Sequence, residues 1–126
     1  VLVDTSAWIH FLRPDGDAAV RARVAALLQA GTAHWCPLVR LELWSGAGGD
    51  REKKVLREFE RLVPELAITS AVWDDAHNLA RRCRAAGVSA PATDVLIAAC
   101  AHHHGARLEH ADSDFDRIST VAGHET

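Results

Sequence analysis

The 126 residues can build one domain with a proper core and are too few for two. Hydrophobic residues make up 48% and charged residues 25%, ordinary for a globular chain, and no apolar run approaches the roughly 20 residues that span a bilayer. The net charge of −3 speaks against a basic nucleic-acid-binding surface, unless several carboxylates share a cation site whose ion cancels that part of the count.

Val1-Leu2-Val3 running into Asp4 has the profile of a buried strand, and lacks the basic start and long apolar middle of a secretory leader. No methionine occurs, even at position 1, so the initiator is expected outside this numbering. Asp4-Thr5-Ser6 supplies helix-start residues for the apolar stretch to Leu12, and Arg13-Pro14-Asp15-Gly16 is a turn. Val20, Val24, Leu27 and Leu28 sit at helical spacing between Ala18 and Ala30, with Gly31 as the stop signal. His34-Trp35-Cys36 reads as a second strand, and Pro37 opens a helix carrying Leu41, Glu42 and Ser45 to a break at Gly46. A charged amphipathic helix runs from Arg51 to Leu62, and its basic residues read as a solvated face. Leu66-Ala67-Ile68-Thr69 looks like a third strand, and Ser70 is placed to cap a helix to Ala86. After a loop over 87–91, Thr93 caps an Ala-rich helix to about His104, and Arg107 to Ala111 makes a fourth strand leading into "HADSDFDRI". This alternation predicts an α/β fold with a mostly parallel sheet and helices on both faces. Cys36, Cys83 and Cys100 are isolated and odd in number, which suits reduced thiols in a cytoplasmic protein.

In open parallel sheets, sites form where loops leave the carboxyl ends of the strands. Asp4 follows the first strand and Asp112 the fourth; Glu42 lies one turn into the helix after the second, and Asp94 in the first turn of the Ala-rich helix. Each can reach one sheet edge. Acids that close raise one another's pKa unless compensated. All-oxygen donors without cysteine or a histidine pair suit Mg²⁺ or Mn²⁺, ions that activate water and clamp a phosphodiester. On spacing alone, the alternative that these acids merely cap helices stays open. A calcium loop does not fit, because its sixth and twelfth positions, which want Gly and Glu, are Arg117 and Gly123. Nor does "HHH" at 102–104 make a zinc site, since successive helix residues point about 100° apart.

Four motifs, "VDTSAW" at 3–8, "RLELWSG" at 40–46, "TDVLIAACA" at 93–101 and "HADSDFDRI" at 110–118, together resemble the PIN-domain ribonucleases, and more narrowly the VapC toxins of VapBC toxin–antitoxin pairs. The resemblance covers essentially the whole chain. It implies a single PIN domain over 1–126, with a parallel central sheet of four or five strands flanked by helices. It also implies catalytic acids at Asp4, Glu42, Asp94 and Asp112, and a Mg²⁺ or Mn²⁺ ion held by Asp4, Asp94 and Asp112 with Asp114 as a further contributor. Ser6 matches the small polar residue that supports the first aspartate. The implied activity is hydrolysis of RNA, at tRNA or ribosomal RNA, by metal-activated water. The implied partners are a second copy of the chain and a VapB-type antitoxin that places a basic side chain into the acidic site; DNA is met only through that antitoxin.

Around this set, strand alternation puts His110 on the side of Asp112, where either a substrate phosphate or a structural hydrogen bond would occupy it. Arg13 and Arg40 are the basic residues nearest the acids and candidates for RNA phosphates. Trp8 and Trp44 flank acidic motifs and are expected at an interface. Glu109 departs from the family, which more often has an apolar residue there; a structural ion pair with Arg107 or Arg117 is the expectation. Two rivals remain. The intact acid set speaks against a catalytically weak PIN-like module that only binds RNA or protein. The chain is too short for the acceptor region of a nucleotide-sugar transferase.

Overall fold

Four chain segments lie side by side in parallel, and two of them are long enough to count as strands. In the computed structural model, which describes residues 1–123, β1 (Leu2–Val3) pairs with β2 (Leu108–Glu109), Leu2 opposite Leu108 and Val3 opposite Glu109. On the far side of β1 a single parallel bridge joins Leu2 to His34, and a second joins Trp35 to Glu65. The backbone bonds are regular: Leu2 N–H donates to the Arg107 carbonyl at 2.8 Å, Asp4 N–H to Glu109 at 2.9 Å, Val3 N–H to His34 at 2.9 Å and Leu66 N–H to Trp35 at 2.8 Å. The parallel α/β arrangement expected from the sequence is therefore present, in the order 108–109, 2–3, 34–35, 65.

The expected strands at 34–36 and 66–69 shrink to bridges, for reasons visible in the chain. Pro37 follows at once and opens a helix, and Pro64 has no N–H to donate. Beyond Glu65 the carbonyls find side chains instead of another strand: His104 Nε2 lies 2.7 Å from Ala67 O, and the Cys100 thiol lies 3.8 Å from Leu66 O.

Between the segments run α1 (Thr5–Leu12), α2 (Ala18–Ala30), α3 (Pro37–Gly46), α4 (Asp50–Leu62), α5 (Ser70–Ala85) and α6 (Ala92–His103), and α7 (Ser113–Ala122) follows β2. Gly31 ends α2 with φ of +71°, which its missing Cβ permits. Two caps differ from expectation. Thr69, not Ser70, caps α5 by accepting from Val72 N–H, and α6 starts at Ala92 behind Pro91 rather than at Thr93. Residues Val95 to Ala101 of α6 are all buried, so this helix runs through the core rather than along it. Under α1, Trp8, Phe11, Trp35 and Phe59 interlock, with Trp8 and Phe59 ring centroids 5.0 Å apart and Trp8 edge-on to Trp35 at 6.4 Å. Trp8 is 0% exposed, so it is a core anchor and not the interface residue its place beside the acidic motif suggests.

Candidate acidic metal site

Each acid is placed by the end of a strand or the start of a helix. Asp4 ends the β1 segment and caps α1; its Oδ2 accepts from the Ser6 N–H at 3.0 Å and from the Ser6 hydroxyl at 2.6 Å. The same hydroxyl oxygen accepts from Ala111 N–H at 3.0 Å, so Ser6 ties the loop after β1 to the loop after β2. Asp112 caps α7, its Oδ1 accepting from Asp114 N–H at 2.9 Å. Asp94 stands in the first turn of α6, where the helix dipole favours a negative group. Carboxylate oxygens of Asp94, Asp112 and Asp114 all lie within 4.8 Å of one another. Capping and convergence thus coincide, and one role does not replace the other.

That proximity is electrostatically costly. The Asp94 carboxyl is pushed up to about 7, first by burial, then by the charges of Asp4 and Asp112 and by Asp114. Asp4, the buried acid, is also raised by burial, an effect its two bonds from Ser6 oppose and the Asp112 charge reinforces. Two full charges at this spacing repel by roughly 3 kcal/mol at an effective dielectric near 20. The Arg117 guanidinium, bonded to Asp114 and 3.4 Å from Ser89 O, forms a half-exposed pair of the kind worth about 1 kcal/mol or less. A divalent cation is the better neutraliser, and the trio offers it only hard oxygen donors, so the residues present fit Mg²⁺ or Mn²⁺.

The other expected residues divide. Glu42 stands outside the trio: the Thr5 hydroxyl, next to Asp4, donates to its Oε1 at 2.7 Å. Glu42 and Arg13 face a cavity of about 210 Å³ between α1, α3 and α4. Arg40, expected at RNA phosphates, is ion-paired here, 3.0 Å from Glu65 and 3.9 Å from Glu60. His110 takes the structural alternative. Its Nδ1 accepts from Asp112 N–H at 3.3 Å, its Nε2 lies 3.6 Å from Asp116, and its ring packs on Phe115 at 5.1 Å. Glu109 is indeed paired, but with Arg23 of α2, whose Nε lies 3.2 Å from both carboxylate oxygens; neither Arg107 nor Arg117 is the partner. No local signal marks a pairing across 86 positions. The Arg117–Asp114 pair is absent from the sequence expectations although its i, i+3 helical spacing is readable. Of the histidine run, His103 lies 3.1 Å from Asp75 and His104 bonds Ala67 O, while the two rings pack edge to face at 5.3 Å.

A parallel sheet whose carboxyl edge gathers aspartates from the starts of α6 and α7, with Asp4 of the α1 cap close enough to raise Asp94, makes a site of the hard-cation class. In comparison with known proteins, residues 1–121 match the family model of the PIN domain. The chain is 36% identical to Ribonuclease VapC11 of Mycobacterium tuberculosis over 124 residues, 96% of this chain and 92% of that protein. By structure it resembles VapBC2 from Rickettsia felis bound to a DNA fragment from its promoter, with TM-score 0.75, 14% identity and coverage of 95% of this chain and 93% of the other. It also resembles FitAcB from Neisseria gonorrhoeae, with TM-score 0.69, 20% identity and coverage of 94% and 92%. The chain belongs to the PIN-domain family, among the VapC ribonucleases.

Proposed function

We propose that this chain is a metal-dependent endoribonuclease, the toxin of a type II toxin–antitoxin pair, in which Asp4, Asp94, Asp112 and Asp114 hold Mg²⁺ or Mn²⁺. The observation that carries the reading is the trio of carboxylates within 4.8 Å at the sheet edge of a PIN-family chain. A bound divalent cation supplies charge neutralisation for a phosphodiester and a more acidic water.

The chain's own groups supply placement. Ser6 holds the Asp4 carboxylate in one orientation through two bonds, and fixes its height relative to Asp112 by also accepting from Ala111. Asp112 is locked as the α7 cap through one oxygen, and its other oxygen would be the one offered to an ion. Asp94, pushed up to about 7 by burial and its acidic neighbours, would hold a proton for part of the time at neutral pH and would have to release it to act as a ligand. Glu42, oriented by Thr5, lies beside this set and is the remaining acid for positioning water or a second ion.

RNA as the substrate is supported by the ribonuclease relatives, and tRNA or ribosomal RNA is the class we infer. A VapB-type antitoxin with a basic inhibitory side chain is supported by the excess of negative charge at the site and by the complexes among the structural neighbours. Contact with DNA would then run through that antitoxin. No helix among the described residues is long and apolar enough to cross a membrane, and the free buried cysteines support a cytoplasmic home.

The test is cleavage of structured RNA by purified chain with Mn²⁺ or Mg²⁺. Activity should vanish with chelator and fall at least 10²-fold in Asp4→Asn and Asp94→Asn, since each removes a charged group from the ion's surroundings. Undiminished cleavage by both variants would trace the activity to a contaminating nuclease. Metal-dependent RNA binding by wild type without cleavage would favour the binding-module reading instead.

A further inference from the structure

We propose that RNA flanking the cleaved bond lies in a basic groove between the last turns of α5 and the start of α6, gripped at its phosphates by Arg81 and Arg84; the inference rests on the ribonuclease reading above. An acidic chain that binds a polyanion needs a local positive wall. The two arginines that sequence position puts forward do not provide it: Arg40 is held by Glu60 and Glu65, and Arg13 faces a cavity shared with Glu42 and Glu52.

The hollow lined by Arg81 and Arg84 differs. Its volume is about 570 Å³, and its lining contains two guanidiniums and no carboxylate. Arg81 bonds only the neutral Asn78 Oδ1, at 2.7 Å, and Arg84 has no ion pair among the described residues. Both side chains belong to exposed positions. Basic residues in the last turn of a helix also suit its dipole, but that needs no groove and no acid-free wall. Position decides between the readings. Ala92 and Val95 line the groove on α6, and Asp94 of the metal trio stands between them in sequence. Ser89, also in the wall, receives through its carbonyl the Arg117 guanidinium that bonds Asp114. The groove therefore shares its α6 wall with the turn that carries Asp94. Its lining has no aromatic ring on which a base could stack, so the contact is to the backbone and tolerant of sequence.

The experiment is anisotropy of a labelled 16-nucleotide single-stranded RNA, titrated with the full chain in chelator at a series of KCl concentrations. Arg81→Gln/Arg84→Gln should weaken binding at least tenfold at low salt. It should also flatten the log–log salt dependence by about 1.4, at about 0.7 for each phosphate no longer neutralised. Arg81→Lys/Arg84→Lys should keep the wild-type slope. Arg57→Gln/Arg61→Gln on α4, with the same change in net charge, should leave it unchanged. With metal present, the glutamine pair should raise KM for long RNA and leave kcat within twofold. A wild-type slope in the glutamine pair, an equal loss in the α4 pair, or no RNA binding by wild type would overturn the groove. The two readings fail separately. Arginine-dependent binding without cleavage by wild type removes the nuclease and keeps the groove, whereas normal cleavage indifferent to the arginines removes the groove alone.

Discussion

Asp4 and Trp8 sit at opposite ends of one turn of α1, and the two sides of that turn are built on opposite principles. Around Trp8, four aromatic rings pack edge-on or tilted against one another, and apart from the unpartnered indole N–H the contacts are apolar. Around Asp4, burial and then the charges of acids from separate elements push Asp94 up to about 7. The difference teaches where stability and function reside. The apolar side holds α1 to the core strongly enough for the acidic side to keep its repulsion, in the way sites commonly trade stability for chemistry.

Breaking the apolar side should have the largest effect. Trp8→Ala removes a fully buried indole and should cost about 3–5 kcal/mol, read as a lower urea midpoint with unchanged slope. Trp8→Phe should cost far less, because the indole Nε1 is buried with no hydrogen-bond partner and its loss removes an unsatisfied donor. Equal losses in the two variants would show that the N–H finds a partner in solution.

On the acidic side, removing repulsion should stabilise. Asp94 and Asp4 have folded-state pKa values raised above the unfolded ones, so from about pH 4 to about pH 7 the native state binds more protons than the unfolded chain. Stability of the ion-free protein should therefore fall as pH rises through that window, and Asp94→Asn should flatten the fall. Mn²⁺ at about a hundred times its Kd should add about 2.7 kcal/mol at pH 7.5 and much less at pH 5. Thermal melts of both proteins at both pH values check this; the same Mn²⁺ shift in Asp94→Asn would remove that residue from the site.

Sequence makes these two sides unequally legible. Asp4, Asp94 and Asp112 follow strand ends or open helices, and local propensity locates such places well; the carboxylates that converge within 4.8 Å are those of Asp94, Asp112 and Asp114. The aromatic cluster cannot be located this way, because Trp8, Trp35 and Phe59 come from three elements and only packing decides which rings turn inward. Apolar composition at 34–36 and 66–69 overstates the strands there, since it does not say whether a neighbour is present to accept the hydrogen bonds. The ion pairs of Arg40 are illegible for a related reason. Nearness in sequence to a site says nothing about Glu60 and Glu65, which reach it first.

Ser6 joins the two loops of the acidic edge, so its loss should fall between the extremes. Ser6→Ala deletes a donor to Asp4 and an acceptor for Ala111, at about 1–2 kcal/mol together. It also removes a bond that lowers the Asp4 pKa, so Mn²⁺ affinity should drop more steeply below neutral pH than in wild type. Isothermal titration at pH 6 and pH 8 separates the two effects. A parallel loss at both pH values would confine Ser6 to a structural role.

The smallest effect is expected at Glu109, the acid on the sheet that pairs with Arg23. Its side chain is 12% exposed while that of Arg23 is 51% exposed, so the pair is screened from one side only. Arg23→Ala leaves a largely covered carboxylate without its cation and should cost about 1 kcal/mol. Glu109→Gln in that background should recover most of the loss, because the neutral amide has less need of a partner. The coupling from the double-mutant cycle should shrink in 1 M NaCl, as expected for an ion pair open to solvent on its arginine side. If instead Glu109→Gln alone abolished RNA cleavage with stability intact, Glu109 would belong with Asp4 and Asp112 on the acidic edge. The line between the attractive and repulsive sides of the sheet would then have to be redrawn through β2.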